Sequence, residues 1–140
     1  MVSWGPEGEA ESMSKCVNFR DLAVWRKGMD LAVEVHTLTE RFPRQERFGL
    51  TNQIRRAASS VPGNIAEGAV RQGPAEFKHH LSIARGSLAE LGTFLELSSR
   101  LGHAPAEDLQ KMLISIDEIE RMLHGLRNSL NRAQGKSGVE

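Results

Sequence analysis

The sequence is poor in the residues that cross-link small proteins or carry them into a membrane. Its 140 residues include no tyrosine and one cysteine, and aromatic residues make up 5% of the chain. The lone Cys16 excludes an internal disulfide framework and a cysteine-rich zinc site. No apolar run approaches the roughly 18 residues of a membrane span. Residues 1–11 lack the apolar core of a secretory signal, so we expect a cytoplasmic protein without a membrane partner.

Motifs for catalysis and cofactor binding are also missing. The chain has no Gly-x-Gly-x-x-Gly, no Walker A loop and no Gly-x-Ser-x-Gly nucleophile elbow. Its five histidines show neither the His-x-x-x-His spacing of a helical zinc site nor the pair of Glu-x-x-His motifs of di-iron bundles. Cys16 has no evident base beside it. We therefore expect no enzyme activity, no cofactor and no bound metal.

Charge is unevenly distributed along the chain, although the formal net charge is zero. Residues 41–85 contain eight basic and three acidic side chains, and acidic residues are concentrated near both ends. A cationic segment of this kind can form a surface that faces anions such as phosphate. The alternative is an ordinary solvated helix face. The basic residues of this segment are therefore candidates for nucleic-acid contacts.

Hydrophobic residues recur with helical spacing from residue 21 onward, and no segment alternates like a β-strand. Pro62 lies inside the second periodic segment and predicts a kink, or a break into two shorter helices. The predicted helices cover residues 21–41 and 45–71, then one beginning at Pro74 and ended by Gly102, and one beginning at Pro105. Short loops between amphipathic helices favour an all-α antiparallel four-helix bundle.

Both ends of the chain lack this periodicity. Residues 1–17 are predicted to be a flexible extension, with Met13 as an alternative natural start. Residues 18–132 form the predicted bundle, and residues 133–140 are predicted to be a flexible tail. The chain therefore has one predicted folded domain.

The first and third helices each carry two lines of apolar residues. Trp25 and Met29 lie on one line of the first helix, and Leu81 to Leu95 form one line of the third. A helix in a monomeric bundle normally needs one apolar stripe, so the second lines predict either wide burial within one chain or a subunit interface. We expect a homo-oligomer whose interface comprises Val24, Leu31, Val35, Leu38, Ile83, Phe94, Leu97 and Leu101.

Polar residues of the second helix surround Pro62. Backbone groups left without partners at a proline need other donors and acceptors. Arg55 and Arg56 are adjacent and splay about 100° apart on a helix, so one is expected to pair within the chain and the other to face solvent or phosphate. We interpret four further residues as a structural polar motif that supports the distorted helix: Gln53, Ser60, Asn64 and Glu67.

Three segments are more specific than composition or periodicity. They are FRDLAVW at residues 19–25, LTNQIRRAASSVPGNIAEG at 50–68 and ARGSLAEL at 84–91. These segments resemble the opening, the signature and the third-helix motif of the four-helix-bundle family encoded in 23S ribosomal RNA intervening sequences. The resemblance covers residues 19–130, and the segment before Phe19 has no counterpart in it.

The resemblance implies a left-handed antiparallel four-helix bundle that assembles as a bacterial homopentamer. It also implies a link to RNA, because family members are encoded inside insertions in the large ribosomal RNA gene. Relatives serve as accessory proteins beside the reverse transcriptase of diversity-generating retroelements, where a basic ring binds nucleic acid. A reverse transcriptase or a ribosomal component is therefore an expected partner besides further copies of the chain.

We expect a non-enzymatic homo-oligomer that binds structured RNA through phosphate contacts, which give affinity without sequence choice. The alternative is an oligomeric interaction scaffold or accessory subunit with no direct nucleic-acid role. Trp25 is expected in the core, and the absence of tyrosine argues against an aromatic single-strand binder. The predicted phosphate contacts are Arg44, Arg47, Arg55, Arg56, Arg71, Lys78 and Arg85.

Overall fold

The computed structural model describes residues 18–138, which contain helices and no strand, so the all-α prediction is confirmed. Residues 1–17, with Cys16 and the predicted extension, and residues 139–140 lie outside the described part. Two 3₁₀ turns, Phe19–Asp21 and Arg44–Glu46, precede the first and second helices. The α-helices are α1 Ala23–Thr39, α2 Leu50–Val70, α3 Pro74–Arg100 and α4 Ala106–Gly138. None of these helices is both long and apolar enough to span a membrane.

Proline and glycine set the ends of α3, as the sequence predicts. Gly73 has a φ of +90°, and Pro74 follows it as the first residue of the helix. Gly102, beyond the other end, has a φ of +82°, a conformation that side chains with a Cβ rarely adopt. Its N–H donates to the carbonyl oxygen of Ser99 at 3.0 Å and helps to satisfy the end of the helix. α4, by contrast, continues past Arg132 into the predicted tail.

α2 runs unbroken through Pro62, so the predicted alternative of two shorter helices is wrong. Proline has no N–H to donate to the carbonyl of Ala58, a defect that costs about 3 kcal/mol in an exposed helix. Pro62 is buried, and its ring would lie 3.6 Å from a Cβ added to Gly28 of α1. Close packing on α1 thus offsets the missing hydrogen bond. The kink and the left-handed sense of the bundle stay predictions.

The main helix contacts run α1–α2, α2–α3, α3–α4 and α4–α1, which places the four helices around a shared core. Arg41 after α1 contacts Asp108 at the start of α4, whereas Lys78 at the start of α3 contacts Asn131 near the end of α4. We call the end with residues 40–49 and 101–105 the loop end, and the opposite end the turn end. The fully buried side chains are mostly large aliphatic residues, among them Ile54, Ile65, Leu81, Leu88, Leu91, Ile119, Leu123 and Leu126.

The structure corrects the predicted orientation of α1. Its four predicted interface residues are between 0% and 3% exposed, so they belong to the core of one chain and are not available to a neighbour: Val24, Leu31, Val35 and Leu38. Met29 and Val33, on the other line, are 40% and 63% exposed. Periodicity locates two stripes but does not say which faces inward. Here Gly28 lies on the inward line, and a Cβ added to it would lie 3.6 Å from Pro62 of α2, an ordinary contact distance.

α3 has the predicted orientation. The line from Leu81 to Leu95 is buried in the core. Ile83, Leu97 and Leu101 of the second line are exposed, and Phe94 packs partly against the core. These four residues therefore remain candidates for an interface, whereas the α1 set does not.

Candidate nucleic-acid interface

The seven predicted phosphate contacts are spread over the length of the bundle. Arg71 and Lys78 lie at the turn end, and Arg85 lies on α3 between the ends. The other four lie at or near the loop end: Arg44, Arg47, Arg55 and Arg56. α2 alone has 21 residues, and it is therefore roughly 30 Å long. The seven side chains cannot converge on one site within a single chain.

Arg55 and Arg85 are half-buried and bind other groups of the chain. Arg55 Nε donates to Oγ1 of the buried Thr39 at 2.8 Å, and its Nη2 donates to the carbonyl oxygen of His36 at 3.3 Å. Arg85 Nε donates to Oε1 of Glu120 at 2.7 Å. Arg55 therefore joins α2 to the end of α1, and Arg85 joins α3 to α4.

The two cations of the turn end are also paired. Arg71 Nη2 donates to Glu67 Oε1 at 2.7 Å. This hydrogen bond lowers the pKa of Glu67, desolvation opposes the change, and His80 with the charge of Arg71 adds to the lowering. Lys78 Nζ donates to Asn131 Oδ1 at 2.9 Å. Both side chains therefore already bind groups of the chain, Arg71 a carboxylate and Lys78 a neutral amide oxygen.

Arg44, Arg47 and Arg56 differ from the other four cations. All three are exposed, and none of their side chains makes a hydrogen bond or an ion pair within residues 18–138. Arg47 lies over the ring of Phe48, 5.7 Å from its centroid. Gly49 provides no side-chain cap for α2, so the positive end of that helix dipole adds to the charge at the loop end. Of the adjacent pair, Arg55 is bound within the chain and Arg56 faces solvent, as the sequence predicts.

The loop between α1 and α2 is anchored to the loop between α3 and α4. Glu46 Oε2 lies 3.0 Å from Nε2 of His103. The His103 ring also contacts Phe42, which is 8% exposed, with 5.7 Å between ring centroids. Phe48 falls inside the second predicted helix, residues 45–71, but it lies before Leu50, the first residue of α2, and is 88% exposed. The anchoring of this loop by His103 had no recognisable signal in the sequence.

The predicted polar motif joins α2 to α3. Asn64 Nδ2 donates to the carbonyl oxygen and Oγ of Ser60 at 2.9 and 3.0 Å, and Asn64 Oδ1 lies 3.2 Å from Nδ1 of His80. Ser60 and Ser87 share a hydrogen bond of 2.7 Å between their hydroxyls. The Asn64–His80 and Ser60–Ser87 contacts cross from α2 to α3, and the Asn64–Ser60 bonds lie within α2. None of these bonds reaches the carbonyl of Ala58 that the proline leaves free. Glu67 lies at the edge of this network, whereas Gln53 is exposed and contributes no side-chain bond to it.

His80 and Ser87 belong to this network although they were not predicted as members of it. His80 follows Phe77 by three residues and precedes Ala84 by four, so it falls within the apolar line of α3. This position within an apolar line was the feature of the sequence from which the burial of His80 could have been predicted. Within residues 18–138, no group of three or more His, Cys, Asp and Glu side chains is placed to hold a metal ion.

Two apolar grooves lie on different surfaces of the bundle. Groove A, of about 450 Å³, lies between α1 and α2 and is lined by Trp25, Met29, Ala32, Val33, Pro62 and Ala66 among others. Groove B, of about 500 Å³, lies between α3 and α4 and is lined by Leu88, Ala89, Gly92, Leu97, Leu113 and Ile116 among others. Because the helix contacts run in a ring, the two grooves lie on opposite sides.

The sequence profile of 23S rRNA-intervening sequence proteins matches residues 20–125, most of the described bundle. The chain belongs to this family. Among solved structures, it resembles a protein of unknown function from the S23 ribosomal protein family of Bacteroides thetaiotaomicron. The two are 26% identical, with a TM-score of 0.68, over 75% of this chain and 98% of that one. Among curated proteins, none is detectably similar to this chain.

Proposed function

We propose that this member of the 23S rRNA-intervening sequence protein family is a non-enzymatic homo-oligomer that binds structured RNA at its loop end. The observation that carries the proposal is the group of Arg44, Arg47 and Arg56, which are exposed and have no carboxylate partner in the described chain. Guanidinium groups that are free can contact phosphates without first breaking an ion pair. The family's link to ribosomal RNA favours RNA as the polyanion.

Pairing within the chain also narrows the predicted set of phosphate contacts. Arg55, Arg71, Lys78 and Arg85 each bind a partner within the chain. Replacing Arg85 by glutamate would place two carboxylates beside each other on α3 and α4. Weaker RNA binding by that variant would therefore reflect a disturbed fold and not a lost RNA contact. We therefore assign these four side chains to structure and the phosphate contacts to the free three.

Self-association is part of the proposal, with the pentamer that the family resemblance implies as its expected form. Grooves A and B are different surfaces of one chain, and a contact that joins two different surfaces closes into a ring when its rotation is suitable. Exposed Val33 borders groove A, and exposed Leu97 borders groove B. A ring would repeat the three free arginines in every subunit and strengthen RNA binding through multivalency.

A pair of matched charge reversals tests the RNA contact. Arg44→Glu with Arg56→Glu changes two free arginines of the loop end, and Arg20→Glu with Arg127→Glu makes the same change in net charge toward the turn end, at two exposed arginines without a carboxylate partner in the described chain. We expect the first variant to lose at least ten-fold in affinity for a stem-loop fragment of 23S rRNA, and the second to lose much less. Gel retardation and light scattering on the same samples measure affinity and oligomer mass.

Equal losses in the two variants would show that net charge alone governs binding, and would contradict a loop-end site. No binding by the unmodified protein at micromolar concentration would contradict the RNA function as a whole. An oligomer that collapses in the loop-end variant would assign Arg44 and Arg56 to assembly.

The apolar grooves favour a second candidate function. A scaffold or accessory subunit, for example beside a reverse transcriptase or a ribosomal component, would use an exposed apolar surface such as groove A to hold a protein. Such a protein would keep its partner after the arginine reversals and lose it after Val33→Glu. The two candidates therefore separate on which variant abolishes the interaction.

A further inference from the structure

The most exposed large apolar side chain in the described chain is Phe48, with 88% of its surface open to solvent. The other phenylalanines described are buried or packed against the core. Gln45 and Asn52, three residues before it and four after it, are polar and exposed, and the adjacent Gly49 has no side chain. A single aromatic ring offers little area to a protein groove or a lipid surface, but it matches the face of one nucleobase.

The loop that presents this ring is held in place. Backbone bonds of 3.0 to 3.1 Å close the turn from Pro43 to Gly49. On its inner side, Phe42 is buried beneath His103, and His103 contacts Glu46 at 3.0 Å. The one carboxylate of the turn is therefore directed to His103, and the Phe48 ring is presented by an ordered segment that loses little freedom when it binds.

Cations lie next to the ring. The Arg47 guanidinium lies 5.7 Å from the ring centroid, and Arg44 precedes Arg47 by three residues, a spacing that places side chains on the same side of a 3₁₀ turn. Neither arginine has a carboxylate partner in the described chain. An aromatic face beside cations is the arrangement that holds a base by stacking and its phosphates by charge.

Resting on the RNA-binding function proposed above, we propose that Phe48 stacks on an unpaired nucleobase while Arg44 and Arg47 contact the adjoining phosphates. In a duplex, both faces of each base are covered by its neighbours, so the ring can stack only where a loop, bulge or strand end leaves a base open. The loop end therefore recognises unpaired nucleotides next to a helix.

The experiment compares two RNA probes, a stem with a single-stranded loop and a fully paired duplex of the same length. Phe48→Ala is expected to weaken binding to the stem-loop by about 5- to 150-fold, the usual worth of one stacked base. It should leave binding to the duplex unchanged, and Phe48→Trp should restore the stem-loop affinity. Ile114→Ala is the matched control, because it shortens an exposed apolar side chain that lies elsewhere, on α4.

The stacking role would be overturned if the unmodified protein bound both probes equally and Phe48→Ala had no effect. That result would not contradict the proposed arginine–phosphate contacts. Binding of neither probe would instead remove the proposed function on which the stacking role rests. A lower oligomer mass in Phe48→Ala would make the ring a subunit contact. If Phe48→Ala lost binding to anionic lipid vesicles and kept its RNA binding, the ring would be a membrane contact. A subunit contact or a membrane contact would each contradict base stacking.

Discussion

Gly68 shows how one residue sets the distance between α2 and α3. A Cβ added at this position would lie 2.8 Å from His80 Cβ and 2.9 Å from Phe77 Cδ1. Neither atom is the far end of a flexible chain, so the helices would have to separate. This glycine lies within the family signature at residues 50–68, but the sequence alone does not reveal the close approach, because the facing atoms come from a different helix.

Gly68→Ala is expected to destabilise the fold by about 1–3 kcal/mol, since the overpacking exceeds the usual gain from removing a helical glycine. Gly86→Ala on α3, where nothing lies within 4 Å of the new Cβ, is the matched control. It should stabilise by about 0.5–1 kcal/mol. Urea denaturation measures both changes, and a stabilised Gly68→Ala variant would contradict the described packing.

The pair of Glu67 and Arg71 gives the stability a pH dependence of known sign. The hydrogen bond from Arg71 lowers the pKa of Glu67 in the folded chain below its ordinary value of 4.5. The pair therefore stabilises the fold above that value, and the contribution is lost as the pH falls through the lowered pKa. Glu67→Gln should be less stable than the unmodified protein at pH 7, and the difference should shrink as the pH falls through the lowered pKa of Glu67.

Unfolding free energies measured across this range test the sign directly. A difference that grows as the solution is acidified would contradict it. Glu34→Gln, which removes an exposed carboxylate of α1 that has no ion pair among the described residues, controls for the loss of one charge.

At the scale of the helix, sequence periodicity predicted much of what the structure contains. Pro74 and Gly102 delimit α3 as expected because their effects on the backbone are local. The orientation of α1 and the continuity of α2 depend on contacts between helices, such as that of Pro62 with Gly28, and local rules do not include them. The same limit applies to the candidate site. The residue types identify the cations, but only the folded structure shows that Arg55 is hydrogen-bonded to Thr39 whereas Arg56 is free.

The corrected orientation of α1 has its own test. Leu31 is 2% exposed and faces the core, whereas Val33 is 63% exposed. Leu31→Ala should cost about 2–5 kcal/mol, as for other buried leucines. Val33→Ala should change the stability by less than about 0.5 kcal/mol when measured at protein concentrations low enough to favour the single chain. Similar costs at the two positions would contradict the orientation.

At the scale of the whole molecule, the apolar grooves and the free arginines lie on different parts of the bundle. The apolar grooves lie along the sides of the bundle, between α1 and α2 and between α3 and α4. The free arginines lie at or near the loop end, on α2 and the turn before it. Copies that associate through their sides would leave this end open, so subunit contacts and RNA contacts need not compete for the same residues.

The salt dependence of RNA affinity tests this account most directly. Removing one arginine that binds a phosphate should reduce the slope of log affinity against log salt by about 0.7–0.9. We therefore predict a steep slope for the unmodified protein and a slope smaller by about 2–3 when Arg44, Arg47 and Arg56 are all replaced by glutamine. An affinity that does not vary with salt, or the same slope in both proteins, would contradict binding through the free arginines.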